Sequence, residues 1–232
     1  IIRDITLTRK LEQELMRLER LYLIGEMAAG ISHEIRNPLS TVRGFLQMLS
    51  EKPELESYRE HFALMIQEMD RANNIISEFL AIGRQKNSEK ALQNLNDIIQ
   101  VILPLIESDA LRQDKYIATD LNPVPEQLLD ADLIRQLIFN LVRNGLDAME
   151  SGKVLTLRTY TTENRVILEV EDQGSGIHPD ILQKLGTPFL TTKANGTGLG
   201  LSVCFNIASR HNATIDVTTS DQGTTFRVIF NL

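Results

Sequence analysis

His33 is the side chain in this sequence best suited to nucleophilic chemistry, and it lies in the segment SHEIRNPL. The apolar residues Ile31 and Ile35 fall about 200° away around a helix, so His33 points away from the apolar seam and into solvent. Glu34 can accept a hydrogen bond from one ring nitrogen, which fixes the tautomer and leaves the other nitrogen as the nucleophile. Lone histidines are more often surface or core residues, so this hypothesis depends on the neighbouring residues.

Two asparagines one helical turn apart are suited to binding a metal ion and a phosphate. Asn140 and Asn144 lie in NLVRNGLDA on a predicted helix, and Asp147 and Ala148 extend the same face. Carboxamide oxygens suit Mg²⁺, and the NH₂ groups can reach phosphate oxygens. Asparagines at this spacing also occur by chance, so the pattern is not specific by itself.

Asp172 is an acidic residue that the sequence places where it needs a partner. Strand alternation puts its side chain on the same face as the apolar Leu168 and Val170, in the core. An unpaired carboxylate is costly there; the exocyclic amine of adenine would relieve that cost, whereas guanine presents a carbonyl. The placement therefore predicts ATP over GTP, with Gly174 and Gly176 allowing close backbone approach. The alternative is a polar strand end followed by a turn.

A glycine-rich segment precedes the next apolar helix, in the order expected of a phosphate site. Gly196, Gly198 and Gly200 can hold phosphates on backbone N–H groups at a helix N-terminus. Lys193 could neutralise phosphate charge, and Phe189 could anchor a mobile lid. The segment is not a P-loop, since no Gly-Lys-Ser/Thr follows, and not a dinucleotide fingerprint, since no strand feeds it directly.

The elements that position these groups begin with two long helices between about Arg9 and Gly83, joined at Lys52-Pro53-Glu54. Pro38, inside the first helix, is either a tolerated kink or a hinge. The first apolar seam comprises Leu11, Leu15, Leu18, Tyr22, Gly25, Ala28, Ile31, Ile35, Val42, Phe45 and Leu49; the second comprises Tyr58, Phe62, Met65, Met69, Ala72, Ile76, Phe79 and Leu80. An αα-hairpin leaves such seams half covered, so we expect a homodimeric four-helix bundle.

The spacing of apolar residues no longer follows two long helices after the polar segment QKNSEK (85–90). The expected elements are a helix from near Asn96 or Asp97, a strand at 116–121, a helix at 132–149, strands at 154–161 and 165–171, a glycine-rich region to Gly200, a helix to about Arg210, and strands at 214–219 and 224–231. Mainly antiparallel strands with helices on one side predict an α/β sandwich of the α+β class.

Composition and charge exclude several classes of protein. The 232 residues are 42% hydrophobic, which is ordinary for a globular protein. The net charge of −7, without a basic run, argues against nucleic-acid binding. No apolar run approaches the ~20 residues needed to cross a bilayer. The single cysteine, Cys204, lies in the apolar stretch 201–207 and is expected to be buried. The start IIRDITLTRK indicates a piece of a longer protein.

Taken in this order and spacing, the motifs resemble the sensor histidine kinases of two-component signalling over nearly the whole chain. SHEIRNPL is similar to the phosphoacceptor box, NLVRNGLDA to the asparagine box, DQGSGI to the first glycine box, TPFLTTK to the phenylalanine box, GTGLGLSV to the second glycine box, and DQGTTFRVIF to the closing glycine–strand element. The stretch from RLYLIGEMAAG to FLQML looks most like the sporulation kinases. RDIT resembles the end of a PAS-type sensor domain.

The resemblance implies an α+β fold: a helical hairpin that forms a dimeric four-helix bundle, followed by a GHKL-type (Bergerat) α/β sandwich that binds ATP. Residues 1–20 would be a signalling helix after a missing sensor domain. Residues 21–84 would be the dimerisation and phosphotransfer domain, 85–91 a linker, and 92–232 the catalytic ATP-binding domain.

The implied activity is that of an ATP-dependent protein-histidine kinase. His33 would be the phosphoacceptor and Glu34 its acid–base partner, and the phosphoryl group would pass to an aspartate of a response regulator. The likeness to the sporulation kinases implies that this transfer belongs to a sporulation phosphorelay. Asn37 matches the position that orients water when such kinases dephosphorylate their regulator.

The cofactors implied are ATP and Mg²⁺, with Asn144 and Asn140 as metal and phosphate contacts. Asp172 would hold adenine, assisted by Thr225. The implied nucleotide-binding residues are Asn140, Asn144, Asp147, Ala148, Asp172, Gly174, Gly176, Ile177, Phe189, Thr192, Lys193, Gly196, Thr197, Gly198, Leu199, Gly200, Leu201 and Thr225.

Two other functions are compatible with parts of the pattern. Related ATP-hydrolysing chaperones and topoisomerases have a glutamate where this chain has Asn140, which cannot act as a base. A non-catalytic scaffold would not need intact glycine boxes.

The sequence departs from the family at Gln173, usually asparagine, and at Asp147, where many relatives carry a basic residue, so phosphate contacts near Asp147 stay open.

The expected partners are a second copy through the hairpin, a response-regulator receiver domain, and small inhibitory proteins docking on the same helices, with no nucleic acid. This piece is expected in the cytoplasm, and missing upstream segments could attach the full-length protein to the cell membrane. The stimulus, the regulator and the choice between cis and trans transfer stay open.

Overall fold

The computed structural model describes residues 37–83, 90–193 and 196–232. The chain divides into two compact units, Ile1–Lys86 and Asn87–Leu232, which are described separately. Both belong to the predicted fold class, an α-helical hairpin and an α/β sandwich.

The first unit is a helical hairpin. Its first helix, α1, is described over 37–50, and α2 runs over Arg59–Gly83. A 3₁₀ helix, Pro53–Tyr58, follows the turn, and the extended backbone of Lys52 precedes its proline as expected. Arg43 Nε donates a hydrogen bond to Asp70 Oδ1 at 2.6 Å, and this contact joins the two helices. The predicted turn is therefore confirmed.

Large apolar side chains of the hairpin remain exposed in the single chain. Those assigned to the seams by their spacing include Val42, Phe45, Tyr58 and Met65, which are 47–58% exposed. A hairpin with uncovered apolar surface on both helices needs a further partner to bury that surface.

The second unit contains two sheets and four helices among its described residues. Its elements are β1 Ala91–Gln93, α3 Leu95–Arg112, β2 Tyr116–Leu121, β3 Gln127–Leu129, α4 Ala131–Ala148, β4 Val154–Thr162, β5 Arg165–Glu171, α5 Pro179–Leu182, α6 Gly200–Arg210, β6 Ala213–Ser220 and β7 Gly223–Asn231. The large sheet has the order β2-β4-β5-β7-β6, with only the β2–β4 pair parallel.

The core lies between this sheet and α3, α4 and α6. One face of the sheet supplies the buried residues Leu155, Leu157, Val166, Leu168, Val170, Phe226, Val228 and Phe230. The helices contribute mainly aliphatic residues, including Ile99, Ile106, Leu137, Leu141 and Ile207. Cys204 is fully buried as predicted, and burial raises the pKa of its thiol to about 12, so it is an inert packing residue.

The outer face of the large sheet is polar. Glu169 accepts hydrogen bonds from Arg158 at 2.8 Å, Arg227 at 2.8 Å and the Tyr160 hydroxyl at 3.2 Å. Burial by itself would raise the pKa of Glu169, but the hydrogen bonds from both arginines outweigh it and lower the pKa. The helices therefore occupy one side of the sheet only, as expected.

His211 joins the end of α6 to the start of α4. Its Nε2 accepts from the backbone N–H of Asp130 at 3.0 Å, which leaves the proton on Nδ1 to donate to the Ile207 carbonyl at 2.8 Å. Burial lowers the pKa of His211. The ring is thus held neutral by the packing around it.

The structure corrects some local expectations. Helix α3 begins at Leu95, earlier than the sequence predicted, because the Asn94 side chain accepts from the N–H of Asn96 and caps the helix. The short β1–β3 sheet and helix α5 were not predicted. Among the described residues, none of the helices is long and apolar enough to span a bilayer.

Candidate functional site

The two residues proposed for the phosphoryl-acceptor chemistry, His33 and Glu34, lie outside the described residues. Asn37, the third residue of that group, is exposed on α1. Its backbone carbonyl accepts a hydrogen bond from Thr41 Oγ1 at 3.0 Å.

Asp172 follows β5 and is only 5% exposed, as strand alternation predicted. The backbone N–H groups of Gly174 and Thr224 donate to its Oδ1 at 2.8 and 3.2 Å. Burial raises the pKa of Asp172, and these two hydrogen bonds offset part of that effect. Among the described residues both donors use Oδ1, so Oδ2 is the acceptor that a ligand would find.

Thr224, rather than the predicted Thr225, is the residue that contacts Asp172. Thr224 is 4% exposed and lies on the buried face of β7, and its carbonyl accepts from the N–H of Asp172 at 2.9 Å. Thr225 is paired with Glu171 and occupies the opposite face of the strand. The prediction was wrong by one residue, which reverses the face in a β-strand.

Gly145 is a site residue that sequence reasoning missed. A Cβ atom there would lie 2.6 Å from Leu155 Cδ1 and 3.1 Å from Asp172 Cβ, so glycine lets α4 pack directly on the buried carboxylate. Gly174 is equally confined, since its Cβ would lie 2.7 Å from the carbonyl oxygen of Ala148. A glycine inside an otherwise good helix was the available signal.

The two asparagines lie beside the start of α6. Asn140 Nδ2 is 3.4 Å from the Gly200 carbonyl oxygen, and Asn144 Nδ2 lies 3.8 Å from the point where a Gly200 Cβ would be. Among the described residues no side chain caps α6. Carboxamides and the positive end of a helix therefore meet at one place, which is a suitable environment for phosphate.

The segment before α6 folds back on itself. Gly198 has φ +68°, and a Cβ there would lie 2.4 Å from the carbonyl carbon of Phe189. Phe189, which we expect to anchor a mobile lid, also has a positive φ, +64°, and is 58% exposed. Thr197 Oγ1 accepts from the N–H of Leu199 at 3.2 Å.

Lys193 and Asp147 form an ion pair, with 2.9 Å between Nζ and Oδ2. Both were predicted to contact the nucleotide, but their pairing was not predicted. Two other predicted residues, Ala148 and Gly174, line a polar cleft of about 570 Å³, whose lining includes neither Asp147 nor Lys193. Ile177 donates its N–H to Thr219 Oγ1 at 2.9 Å, and Thr192 is exposed.

The carboxamides of Asn140 and Asn144 are the predicted ligands of a divalent cation. In the described parts of the chain, His, Cys, Asp and Glu side chains form no cluster of three that could hold a metal ion. Asn140 and Asn144 offer neutral oxygen ligands next to the predicted phosphate site, and Mg²⁺ in nucleotide sites takes few protein ligands and shares phosphate oxygens. The residues present fit such a shared site.

Comparisons with known families identify two segments. Residues 23–88 match the His Kinase A (phospho-acceptor) domain. Residues 129–232 match the family described as histidine kinase-, DNA gyrase B-, and HSP90-like ATPase.

Similar curated proteins include sporulation kinases of Bacillus subtilis (strain 168). Sporulation kinase A is 36% identical over 99% of this chain and 38% of its own length. Sporulation kinase D is 37% identical over 90% of this chain and 42% of its own length. Sensor histidine kinase ZraS of Escherichia coli (strain K12) is 35% identical over 93% of this chain and 47% of its own length. The chain thus spans less than half of each of these relatives.

Solved structures with a similar fold include two that match most of this chain. Full-length ShkA in complex with AMPPNP matches with a TM-score of 0.76 at 23% identity, over 89% of this chain and 45% of that chain. The histidine kinase ThkA in complex with the response regulator protein TrrA matches with a TM-score of 0.67 at 27% identity, over 99% of this chain and 68% of that chain.

Proposed function

The chain belongs to the sensor histidine kinases, and we propose that it binds ATP in the unit Asn87–Leu232 and transfers the γ-phosphate to its own His33. The proposed domain division is the one expected from the sequence, with the phosphotransfer hairpin at 21–84 and the ATP-binding domain at 92–232.

The observation that supports this most strongly is the environment of Asp172. Its Oδ1 is occupied by two backbone donors, while Oδ2 is available to accept from a ligand. Adenine offers an N–H donor at its exocyclic amine, and guanine offers a carbonyl at the same position. A buried carboxylate discriminates strongly between these two, because the wrong base leaves it unpaired.

The phosphates would lie toward Asn144, Asn140 and the first turn of α6. Backbone N–H groups at the start of a helix favour anions. Mg²⁺, held by the asparagine oxygens and by phosphate oxygens, would neutralise charge that develops during transfer. Lys193 would add a second cation from the segment that precedes α6. The chain's own contribution is thus mainly positioning and charge.

His33 would act as the nucleophile. One ring nitrogen attacks the γ-phosphorus as the bond to the ADP oxygen breaks, and the other ring nitrogen passes its proton toward Glu34. Asn140 stands where a hydrolytic relative would carry a glutamate, so water has no base at that position. The γ-phosphoryl group would therefore reach the histidine before water.

The partners proposed are a second copy of the chain and a receiver domain. The exposed apolar residues Val42, Phe45, Tyr58 and Met65 favour pairing of two hairpins. The likeness to ThkA, whose structure contains a response regulator protein, favours transfer to such a regulator. The sequence identity with sporulation kinases favours a role in a sporulation phosphorelay. Small inhibitory proteins would bind to the two helices of the hairpin.

Asn37 would orient water for dephosphorylation of the regulator. It is exposed on α1, four residues after His33. An Asn37→Ala variant should retain autophosphorylation and lose regulator dephosphorylation. Unchanged dephosphorylation would remove Asn37 from the proposal.

The kinase function is tested by incubating the chain with γ-labelled ATP and Mg²⁺ and following both protein label and free phosphate. Label that is lost in acid and survives alkali is the result expected of a phosphohistidine. Phosphate release without protein label would instead favour an ATPase, and absence of turnover would favour a scaffold.

A further inference from the structure

The ion pair between Lys193 and Asp147 joins two segments that are 46 residues apart in sequence. Asp147 lies on α4 three residues after Asn144, so the two side chains are neighbours on one helix face. Lys193 lies in the segment before α6. Both side chains are partly exposed, at 39% for Lys193 and 38% for Asp147. A phosphate bound at Asn144 would therefore lie close to both charges.

The backbone N–H and the backbone carbonyl of Lys193 are both hydrogen-bonded. Thr191 Oγ1 accepts from the N–H of Lys193 at 3.1 Å, and the Lys193 carbonyl accepts from the N–H of Gly196 at 3.1 Å. A Cβ at Gly196 would lie 2.3 Å from Thr191 Oγ1, so glycine leaves room for this turn. The backbone from which the Lys193 side chain extends is thus hydrogen-bonded within its own segment.

The charges around Lys193 favour an exchange of its partner, from the carboxylate of Asp147 to the phosphates of a nucleotide. Besides pairing with Asp147, the ammonium of Lys193 is near enough to Asp172 to act against the raised pKa of that carboxyl. A triphosphate brings several negative charges next to Asn144. It attracts Lys193 and is repelled by Asp147. An exposed Lys–Asp pair is weak, so the phosphates can displace the carboxylate.

We propose that Asp147 is a positioning residue that holds Lys193 in the nucleotide-free site and yields it to the phosphates when the nucleotide binds. The inference rests on the proposed ATP-binding function. Asp147 then opposes binding in proportion to the number of phosphates, and it sets the ATP affinity below the value that Lys193 alone would give.

The test measures the affinity of the chain for ATP, ADP and adenosine by calorimetry. Asp147→Asn should tighten ATP binding about two- to fivefold, the range expected from release of an exposed pair. ADP should gain less, and adenosine should not change. The matched control is Asp132→Asn, which removes another exposed carboxylate paired with an arginine on α4 and should leave all three affinities unchanged.

A double-mutant cycle with Lys193→Gln separates exchange from simple repulsion. If Asp147 acts through Lys193, the gain caused by Asp147→Asn is lost in the Lys193→Gln background. A gain of equal size in both backgrounds overturns the inference, and so does an equal gain for adenosine. If the unmodified chain binds no ATP, the proposed function itself fails. Thermal unfolding of each variant shows whether the fold is retained.

Discussion

Replacing Asp172 by asparagine should weaken adenine recognition while leaving the fold intact. The backbone N–H groups of Gly174 and Thr224 both donate to Oδ1. In the variant these donors need an acceptor, so they hold the amide oxygen at that position. The amide NH₂ then takes the place of Oδ2 and faces the amine of adenine, donor against donor.

The size of the effect follows from the bond that is lost. A hydrogen bond to a charged group is worth about 1.5–3 kcal/mol, which corresponds to about a 10- to 150-fold weaker Kd. The opposed donors add to this loss. GTP should be penalised less, because the carbonyl of guanine can accept from the new NH₂. The ratio of GTP to ATP affinity should therefore rise.

The stability of the nucleotide-free chain should be unchanged or higher. Burial raises the pKa of Asp172 in the folded state, so the folded chain binds more protons than the unfolded chain. The contribution of this carboxyl to stability therefore decreases as the pH rises through its folded pKa. The ionised carboxylate is costly to bury, and asparagine removes that cost.

Calorimetry with ATP and GTP, together with thermal unfolding, measures both effects. Asp216→Asn is the matched control, since Asp216 is an exposed carboxylate on the outer face of β6 and lies 3.8 Å from Arg227. If Asp172→Asn binds ATP within about threefold of the wild type, the proposed role of Oδ2 is wrong. A large loss of stability would show that the carboxylate is needed for folding.

Three further results are expected. Gly145→Ala should lower the free energy of unfolding in urea by about 1–3 kcal/mol, because the added methyl group overpacks against Leu155. Gly44→Ala, in open space on α1, should raise it by up to about 1 kcal/mol, and equal effects of the two substitutions would contradict the packing argument. Burial lowers the pKa of His211 in the folded chain, so its contribution to stability is present above the ordinary pKa of about 6.5 and is lost as the pH falls through the folded-state pKa. If the urea midpoint of a His211→Gln variant keeps the full wild-type pH dependence, His211 is not the source of that dependence. Gly198→Ala should weaken ATP binding about 5- to 30-fold, since a left-handed backbone costs other residues about 1–2 kcal/mol; calorimetry with unchanged affinity would refute it.

Local periodicity was sufficient to predict most elements of the nucleotide-binding unit. Strand β2 and strand β5 have the predicted bounds, and the alternation along β5 correctly placed Asp172 in the core. The burial of Cys204 followed from the apolar stretch around it. These features depend on neighbours within a few residues, which is the range that a sequence pattern reports.

Contacts between distant segments were outside that range. The closeness of Gly145 to Asp172 and the pair Asp147–Lys193 arise only when α4, β5 and the segment before α6 pack together. Thr225 was expected from the family resemblance, whereas Thr224 contacts Asp172; neighbouring residues of a strand lie on opposite faces, so a shift of one residue changes which side chain faces the site. Strands β1 and β3 have three residues each, too few for alternation to be recognised.

The most direct test of the central claim compares two histidine variants in the labelling reaction with γ-labelled ATP and Mg²⁺. His61 is exposed on α2 and belongs to no proposed site, so His61→Gln serves as the control. If His33 is the phosphoacceptor, the His33→Gln variant binds ATP but carries no acid-labile label, and the His61→Gln variant is labelled like the wild type. Labelling of the His33→Gln variant at the wild-type level would contradict the claim that His33 is the phosphoacceptor.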